Sequence, residues 1–480
     1  MSKKITAKKF TANVMISIGV QIISLAVSFI LNLIVPKFID EYQYSYWQTY
    51  ILYVSYVGVL HFGLLDGLVL RFSQYDYDEI DKRTIRSQFK ILIIFTSIIA
   101  IITIISALIF THNQAKYIVI FVAIGIITKN IHTYNSYTFQ ITNRISKYAI
   151  ITIVQRLTYG LFATILLIFK INDFRLYCIA DIIGDLIAIC LSFFFNKGMY
   201  FGESLAIRET ILELKQNVSA GIILMLANFS AMLIIGGAKM IVQWHWDELV
   251  FGKVSFSFSL SNVFATFVTA ISVVLFPSLK RLDSDKLPSL YKNIRSTISL
   301  FLFGIMCAYF PGCWILNMWL PKYAESLTYL GYLLPIIIFS SKVSLLTNNY
   351  LKVYRKEKYM MIVNLCSVIG GLILFSLCAF VFNNLIALLL CIVLTIMLNS
   401  IASESVVLKV INIKLLKEFI IEALMVVAFI CSTTYLSLGW GLIAYFGAFI
   451  IYSIINYKTY VSIFKKLLKK KETIAKEENV

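Results

Sequence analysis

The stretch NRISKYAIITIVQRL, Asn143–Leu157, decides the fold. It opens as a basic turn, becomes apolar at Tyr148, and stays apolar until Gln155 and Arg156 interrupt it. A short basic segment feeding a long apolar run reads as the water-facing end of a membrane helix. The stretch also has a partner. Arg144, Lys147 and Tyr148 are matched by Arg355, Lys358 and Tyr359, 211 residues further on, and each set follows an Asn/Thr-rich helix end. A weaker match sets Lys37 and Glu41 against Lys239 and Glu248. Two matches at one approximate period point to an internal repeat.

Working outward, the same pattern of basic segment and apolar run fills the chain. Its 480 residues are 59% hydrophobic and only 14% charged, with a mean hydropathy of +0.83. A water-soluble core of this length cannot absorb that much apolar surface, and outer-membrane barrels show short alternating segments instead. The reading is an all-α polytopic membrane protein with about 14 transmembrane helices. The expected spans are 11–36, 47–70, 90–111, 117–139, 148–169, 174–195, 217–237, 249–276, 294–317, 326–349, 359–381, 384–407, 417–436 and 438–457. The basic start MSKKITAKKF precedes a long apolar run without a small-residue cleavage pattern, so an uncleaved first span is expected.

Charge sets the orientation. One set of alternating connections carries 33 of the 43 Lys and Arg residues, the other set carries 7, and Lys129, Arg156 and Lys342 fall inside spans. Cytoplasmic loops hold the excess of Lys and Arg, which places both termini in the cytoplasm. The net charge of +18 therefore reports topology, and no nucleic acid is implied. The tail segment VSIFKKLLKKK reads as a basic helix on anionic lipid.

Six spans separate the repeated loops. An even number keeps both copies in one orientation, so the repeat is parallel, with a substrate site expected at the central cavity between two six-helix lobes. The expected divisions are 1–200 and 201–410 for the lobes, 411–460 for two extra C-terminal helices and 461–480 for a basic cytoplasmic tail.

Ionisable groups inside spans are costly and mark function. Lys129, His132 and Asn135 share one face of a helix that turns polar from Thr128 to Gln140. Lys342 stands among Ser340, Ser341, Ser344 and Thr347 in the second half. Arg156 sits mid-span, and Lys253 and Arg71 lie nearer span ends, where either could snorkel. Asp66, Asp181 and Asp185 supply carboxylates suited to a coupling cation or proton. Arg156 could meet substrate, or could pair with Asp181 merely to hold two helices together. Lys129, His132, Arg156, Lys342, Lys253 and Arg71 together make a cavity that leans basic and suits an anionic substrate. The eight cysteines lie singly and form no CxxC, so no metal and no disulfide are expected. No catalytic constellation, Walker A motif or cofactor motif occurs.

HFGLLDGLVLRFSQY at 61–75, with Gly63, Leu64, Gly67 and Arg71, resembles the end of span two in polysaccharide transporters of the multidrug/oligosaccharidyl-lipid/polysaccharide flippase superfamily. TFQITNRISKYAII and NNYLKVYRKEKYMMIVNL resemble that family's junctions after spans four and ten. The resemblance implies a flippase of the bacterial inner membrane for undecaprenyl-pyrophosphate-linked sugar repeat units, of O-antigen or capsule type. It implies alternating access of two lobes and Arg156 on the pyrophosphate or an acidic sugar. Membrane lipids, a polysaccharide polymerase and a chain-length regulator are the expected partners. An O-antigen polymerase or ligase is the enzymatic alternative, but such enzymes act through a large extracytoplasmic loop, and every far-side loop here is short. A drug exporter of the same fold is the other alternative, and cationic drugs prefer an acidic cavity.

Overall fold

Helix starts are written into the sequence as carboxylates and amides. Asp40, Asp81, Asp173 and Asn384 each accept a hydrogen bond from a backbone N–H of the first turn they precede. Helix ends use left-handed residues. Asn143 (φ 55°) is followed by Arg144 N–H donating to Phe139 O at 2.8 Å, and Arg355 (φ 53°) by Lys356 N–H donating to Leu351 O at 2.7 Å. Lys170 and Asn383 are left-handed one helix later in each half, so the repeat seen in sequence recurs as backbone geometry at offsets of 212 and 213 residues.

A computed structural model describes residues 7–263 and 287–457. The helices are α1 (Ala7–Phe29), α2 (Glu41–Val54), α3 (Leu64–Phe72), α4 (Lys82–Phe110), α5 (Asn113–Ile141), α6 (Ile145–Ile168), α7 (Phe174–Phe195), α8 (Ile207–His245) and α9 from residue 248 through 263. The second half carries α10 (Leu287–Met306), α11 (Tyr309–Trp319), α12 (Ala324–Leu333), α13 (Ile336–Lys342), α14 (Asn348–Val353), α15 (Glu357–Ser376), α16 (Leu385–Ile411), α17 (Leu416–Tyr435) and α18 (Leu438–Ile455). No strand occurs among the described residues.

The protein is an all-α polytopic membrane protein. Among the described residues, nine helices are long and apolar enough to cross a membrane, and three bent pairs bring the number to 12. Helices α9 and α17 occupy the positions of the two further spans read from sequence. On α4, Ile94, Ile98, Ile101, Ile105 and Ile109 are all exposed, an arrangement that only a hydrocarbon surround accommodates. The tail segment at 461–471 and the second half of span eight lie outside the described residues.

Two compact units emerge. One is Met1–Val263 with Asn364–Val381, and the other is Phe264–Val363 with Phe382–Val480. In the first, Asn364 Nδ2 donates to Ala227 O at 3.2 Å, joining α15 to α8.

Span two is broken. A stretch at Glu41–His61 and α3 meet at 55°, with Phe62 (φ 47°) and Gly63 (φ 80°) both left-handed at the break. A β-carbon on Gly63 would stand 2.7 Å from Ile222 N, and one on Gly67 would stand 1.8 Å from Asn217 O. Glycine is therefore required at Gly63 by both conformation and contact, and at Gly67 by contact.

Candidate functional site

In the first unit, four helices converge on a buried charge cluster. Lys129 Nζ on α5 lies 2.8 Å from Asp181 Oδ1 and 2.9 Å from Asp185 Oδ2, both on α7 and one turn apart. Tyr50 OH on α2 donates to Asp181 Oδ2 at 2.8 Å. Thr128 Oγ1 donates to Asp185 Oδ2 and Gln155 Nε2 to Asp185 Oδ1, each at 3.2 Å. Two carboxylates that close would repel, and the ammonium between them holds them in place. The side chain of Lys129 stays 24% exposed while those of Asp181 and Asp185 are 6% and 1% exposed, so the cluster is reached from the lysine side.

Arg156 lies one residue past Gln155 on α6 and is exposed. It makes no hydrogen bond or ion pair among the described residues, and Asp181 pairs with Lys129 instead. The helix-holding Arg156–Asp181 pair considered from sequence is not formed. His132 is within electrostatic reach of both Lys129 and Arg156, and its buried Nε2 has no hydrogen-bond partner among the described residues. Sequence thus brought together Lys129, His132, Arg156, Asp181 and Asp185, and missed Tyr50, Thr128 and Gln155. Gln155 was visible as a polar break in an apolar run, whereas nothing in the sequence singles out Tyr50.

Asp66 sits apart from this cluster. Its Oδ2 lies 3.9 Å from His61 Nε2, and both residues line a cavity of about 150 Å³ with Tyr137, Met225 and Asn228. Arg71, at the end of α3, reaches α8: Nη1 is 2.9 Å from Glu213 Oε2 and donates to Asn217 Oδ1 at 2.5 Å, and Nη2 donates to Gln216 Oε1 at 2.6 Å. Lys253 is half-buried on α9, and its carbonyl accepts from Ser257 Oγ.

The second unit carries a different cluster. Lys342 Nζ on α13 lies 3.1 Å from Glu404 Oε2 on α16 and 2.6 Å from Glu422 Oε2 on α17. Arg295 on α10 also reaches both, at 2.5 Å and 3.1 Å. Tyr291 OH donates to Glu404 and Ser299 Oγ to Glu422, each at 3.0 Å. All four charged side chains are at most 4% exposed. Two cations and two carboxylates are mutually neutralised and sealed.

These contacts alter the charge balance read from sequence. Lys342 is a sealed partner in a neutral cluster, where a cavity cation was expected. Arg295 and Lys239 lie inside helices, although both had been assigned to connections. Lys239 stands 5.8 Å from the ring centres of Phe251 and Phe258. Glu404 and Glu422 were overlooked inside apolar spans. Two further cations and two further carboxylates leave the excess of cations within the spans unchanged, but Lys342 and Arg295 are neutralised by the glutamates.

A cavity of about 670 Å³ lies in the first unit between α2, α5 and α8. Tyr46, Tyr53 and Tyr56 form one wall and Ile118, Val119 and Val122 the opposite one, with Gln243 and Glu248 among its polar groups. Tyr53 OH donates to Gln243 Oε1 at 2.7 Å.

Known proteins agree with this architecture. A family model described as "Polysaccharide biosynthesis protein" matches residues 71–312. The fold is similar to a structure of the lipid II flippase MurJ in an inward closed conformation, with a TM-score of 0.69 at 10% identity, covering 94% of this chain and 100% of that one. It is also similar to an inward-facing multidrug resistance MATE family transporter, with a TM-score of 0.60 at 9% identity, covering 82% and 98%. No protein of curated function matches the sequence.

Proposed function

The chain belongs to the polysaccharide biosynthesis protein family, and from that premise we propose that it is a flippase for undecaprenyl-pyrophosphate-linked oligosaccharide repeat units. The repeat units are of O-antigen or capsule type. The protein resides in the bacterial inner membrane with both termini cytoplasmic, beside a polymerase and a chain-length regulator. Its two lobes of six helices, 1–200 and 201–410, alternate access to the substrate.

The observation that carries this reading is the state of Arg156. A guanidinium within a membrane span is expensive unless it meets a partner, and Arg156 is exposed and without an ion pair among the described residues. Its planar fork suits a phosphate. Lys129, with its exposed side, offers a second cation to the same anion. When the ammonium turns toward phosphate, Asp181 and Asp185 lose their cation, and uptake of a proton or metal cation restores neutrality. Binding of an anion and uptake of a cation are thereby linked.

Deletion of the gene tests the reading. Cells should keep lipid-linked repeat units at the cytoplasmic face and lose surface polysaccharide. A second reading rests on the same cluster: two carboxylates to one lysine leave an acidic balance that suits a cationic drug. Under that reading, deletion leaves surface polysaccharide intact and raises drug sensitivity.

A further inference from the structure

Helix α3 is a nine-residue terminal segment with a hinge at one end and a charged clamp at the other. The hinge is the left-handed pair Phe62 and Gly63, where span two bends by 55°. The clamp is Arg71 on Glu213, Gln216 and Asn217. Between hinge and clamp, α3 lies directly on the backbone of α8. Gly63 faces Ile222, Gly67 faces Asn217, and a β-carbon on Gly221 would stand 2.1 Å from Gly63 O. The contact descends in steps of four residues on α3, at positions 63, 67 and 71, so one face makes all of it. Leu64, Leu65 and Leu68 of α3 lie in the core of the first unit, and Leu214 and Val218 of α8 pack against that core. Backbone contact of this kind closes tightly.

We propose that α3 is a gate on the face of the membrane that carries the 73–81 and 201–206 connections, and that the pyrophosphate of the substrate opens it by displacing Glu213 from Arg71. This rests on the flippase reading above. The clamp is an anion cradle that the protein fills with its own carboxylate. Arg71 supplies a planar fork, and the Nδ2 donor of fully buried Asn217 makes no hydrogen bond among the described residues. A pyrophosphate brings more charge and more acceptor oxygens than one carboxylate, so it competes for Arg71 and also satisfies Asn217. Once Arg71 turns to the substrate, α3 loses its charged tie to α8, and the left-handed pair Phe62 and Gly63 is the hinge about which it shifts against its leucine packing. Behind it lies the cavity that holds His61 and Asp66.

Met225 lines that cavity, is buried, and reports on the gate when replaced by cysteine. Inside-out membrane vesicles carrying Met225→Cys are treated with a membrane-impermeant maleimide, and the protein without that change supplies the background of the eight native cysteines. The expected result is slow labelling that rises severalfold on adding inorganic pyrophosphate. Glu213→Gln and Arg71→Ala should each label rapidly without pyrophosphate, at unchanged protein level. Membrane lipid is constant throughout, so a response to the addition comes from pyrophosphate and not from bilayer headgroups. Unchanged labelling in both variants overturns the gate. Rapid labelling in both variants with no response to pyrophosphate overturns the anion trigger. Surface polysaccharide that persists after gene deletion overturns the flippase reading and leaves the labelling result standing.

Discussion

The ammonium of Lys129 stands 2.8 Å from Oδ1 of Asp181, and the same ammonium bridges to Asp185 at 2.9 Å. One cation therefore holds two carboxylates that would otherwise repel each other inside the membrane.

Lys129→Met should strand both carboxylates. Removing one side of a buried ion pair costs about 3–5 kcal/mol, so the variant should accumulate poorly. Adding Asp181→Asn and Asp185→Asn should restore protein level but not export. Immunoblotting and surface-polysaccharide staining check the two halves, and restored export would refute a role for the cluster in transport.

Arg156 makes no ion pair among the described residues, so Arg156→Ala should fold normally. Arg156→Lys keeps charge but loses the fork, and should impair export; Arg156→Ala should impair it more. Asp181→Ala should not rescue Arg156→Ala, since Asp181 belongs to Lys129. Recovered export in that double variant would sink the substrate role of Arg156.

The sealed cluster of the second unit should behave oppositely. Lys342→Met leaves Arg295 facing two carboxylates and should lower protein level through a loss of about 3–5 kcal/mol. Lys342→Met with Glu422→Gln leaves Arg295 and Glu404 paired and should recover both level and export. A full-level, export-dead double variant would move Lys342 from scaffold to substrate site.

Reporter fusions check the topology. A reporter that is active only in the cytoplasm should work at Val480 and in the 73–81 connection. A reporter that is active only outside the cytoplasm should work near Lys116. Activity of the second kind at Val480 would overturn the assignment that rests on the 33-to-7 division of Lys and Arg.

Much of this was legible in the chain itself. Apolar runs placed the helices because lipid admits little else, and the motif at Arg144 and Arg355 marked the repeat because left-handed helix ends recur beside both. Lys129, Asp181 and Asp185 stood out because charge is rare in spans. What sequence could not assign was pairing. Asp181 had two candidate cations on neighbouring helices, and only packing chooses Lys129. Glu422 escaped notice because it lies near the start of a span, where a charge reads as interfacial, yet it is buried against Arg295 and Lys342. Arg295 was grouped with the basic connection before it for the same reason. The clamp at Arg71 was read as a substrate group, since partners 142 to 146 residues away leave no local trace.

The second cluster also imposes an order on synthesis. Arg295 and Lys342 leave the ribosome before either glutamate, and Glu422 follows Lys342 by 80 residues and Arg295 by 127. At about 5–20 residues per second, Lys342 waits about 4–16 s for Glu422. Until Glu404 emerges the two cations have no carboxylate of the cluster to meet, and until Glu422 emerges they share one, an imbalance that the bilayer does not readily accept. Insertion of the middle helices must stay provisional, held at the translocon or at the interface, until α17 arrives. The last helices to be made are thus the ones that license the earlier ones to settle, and a chain cut short before Glu422 is material for proteolysis.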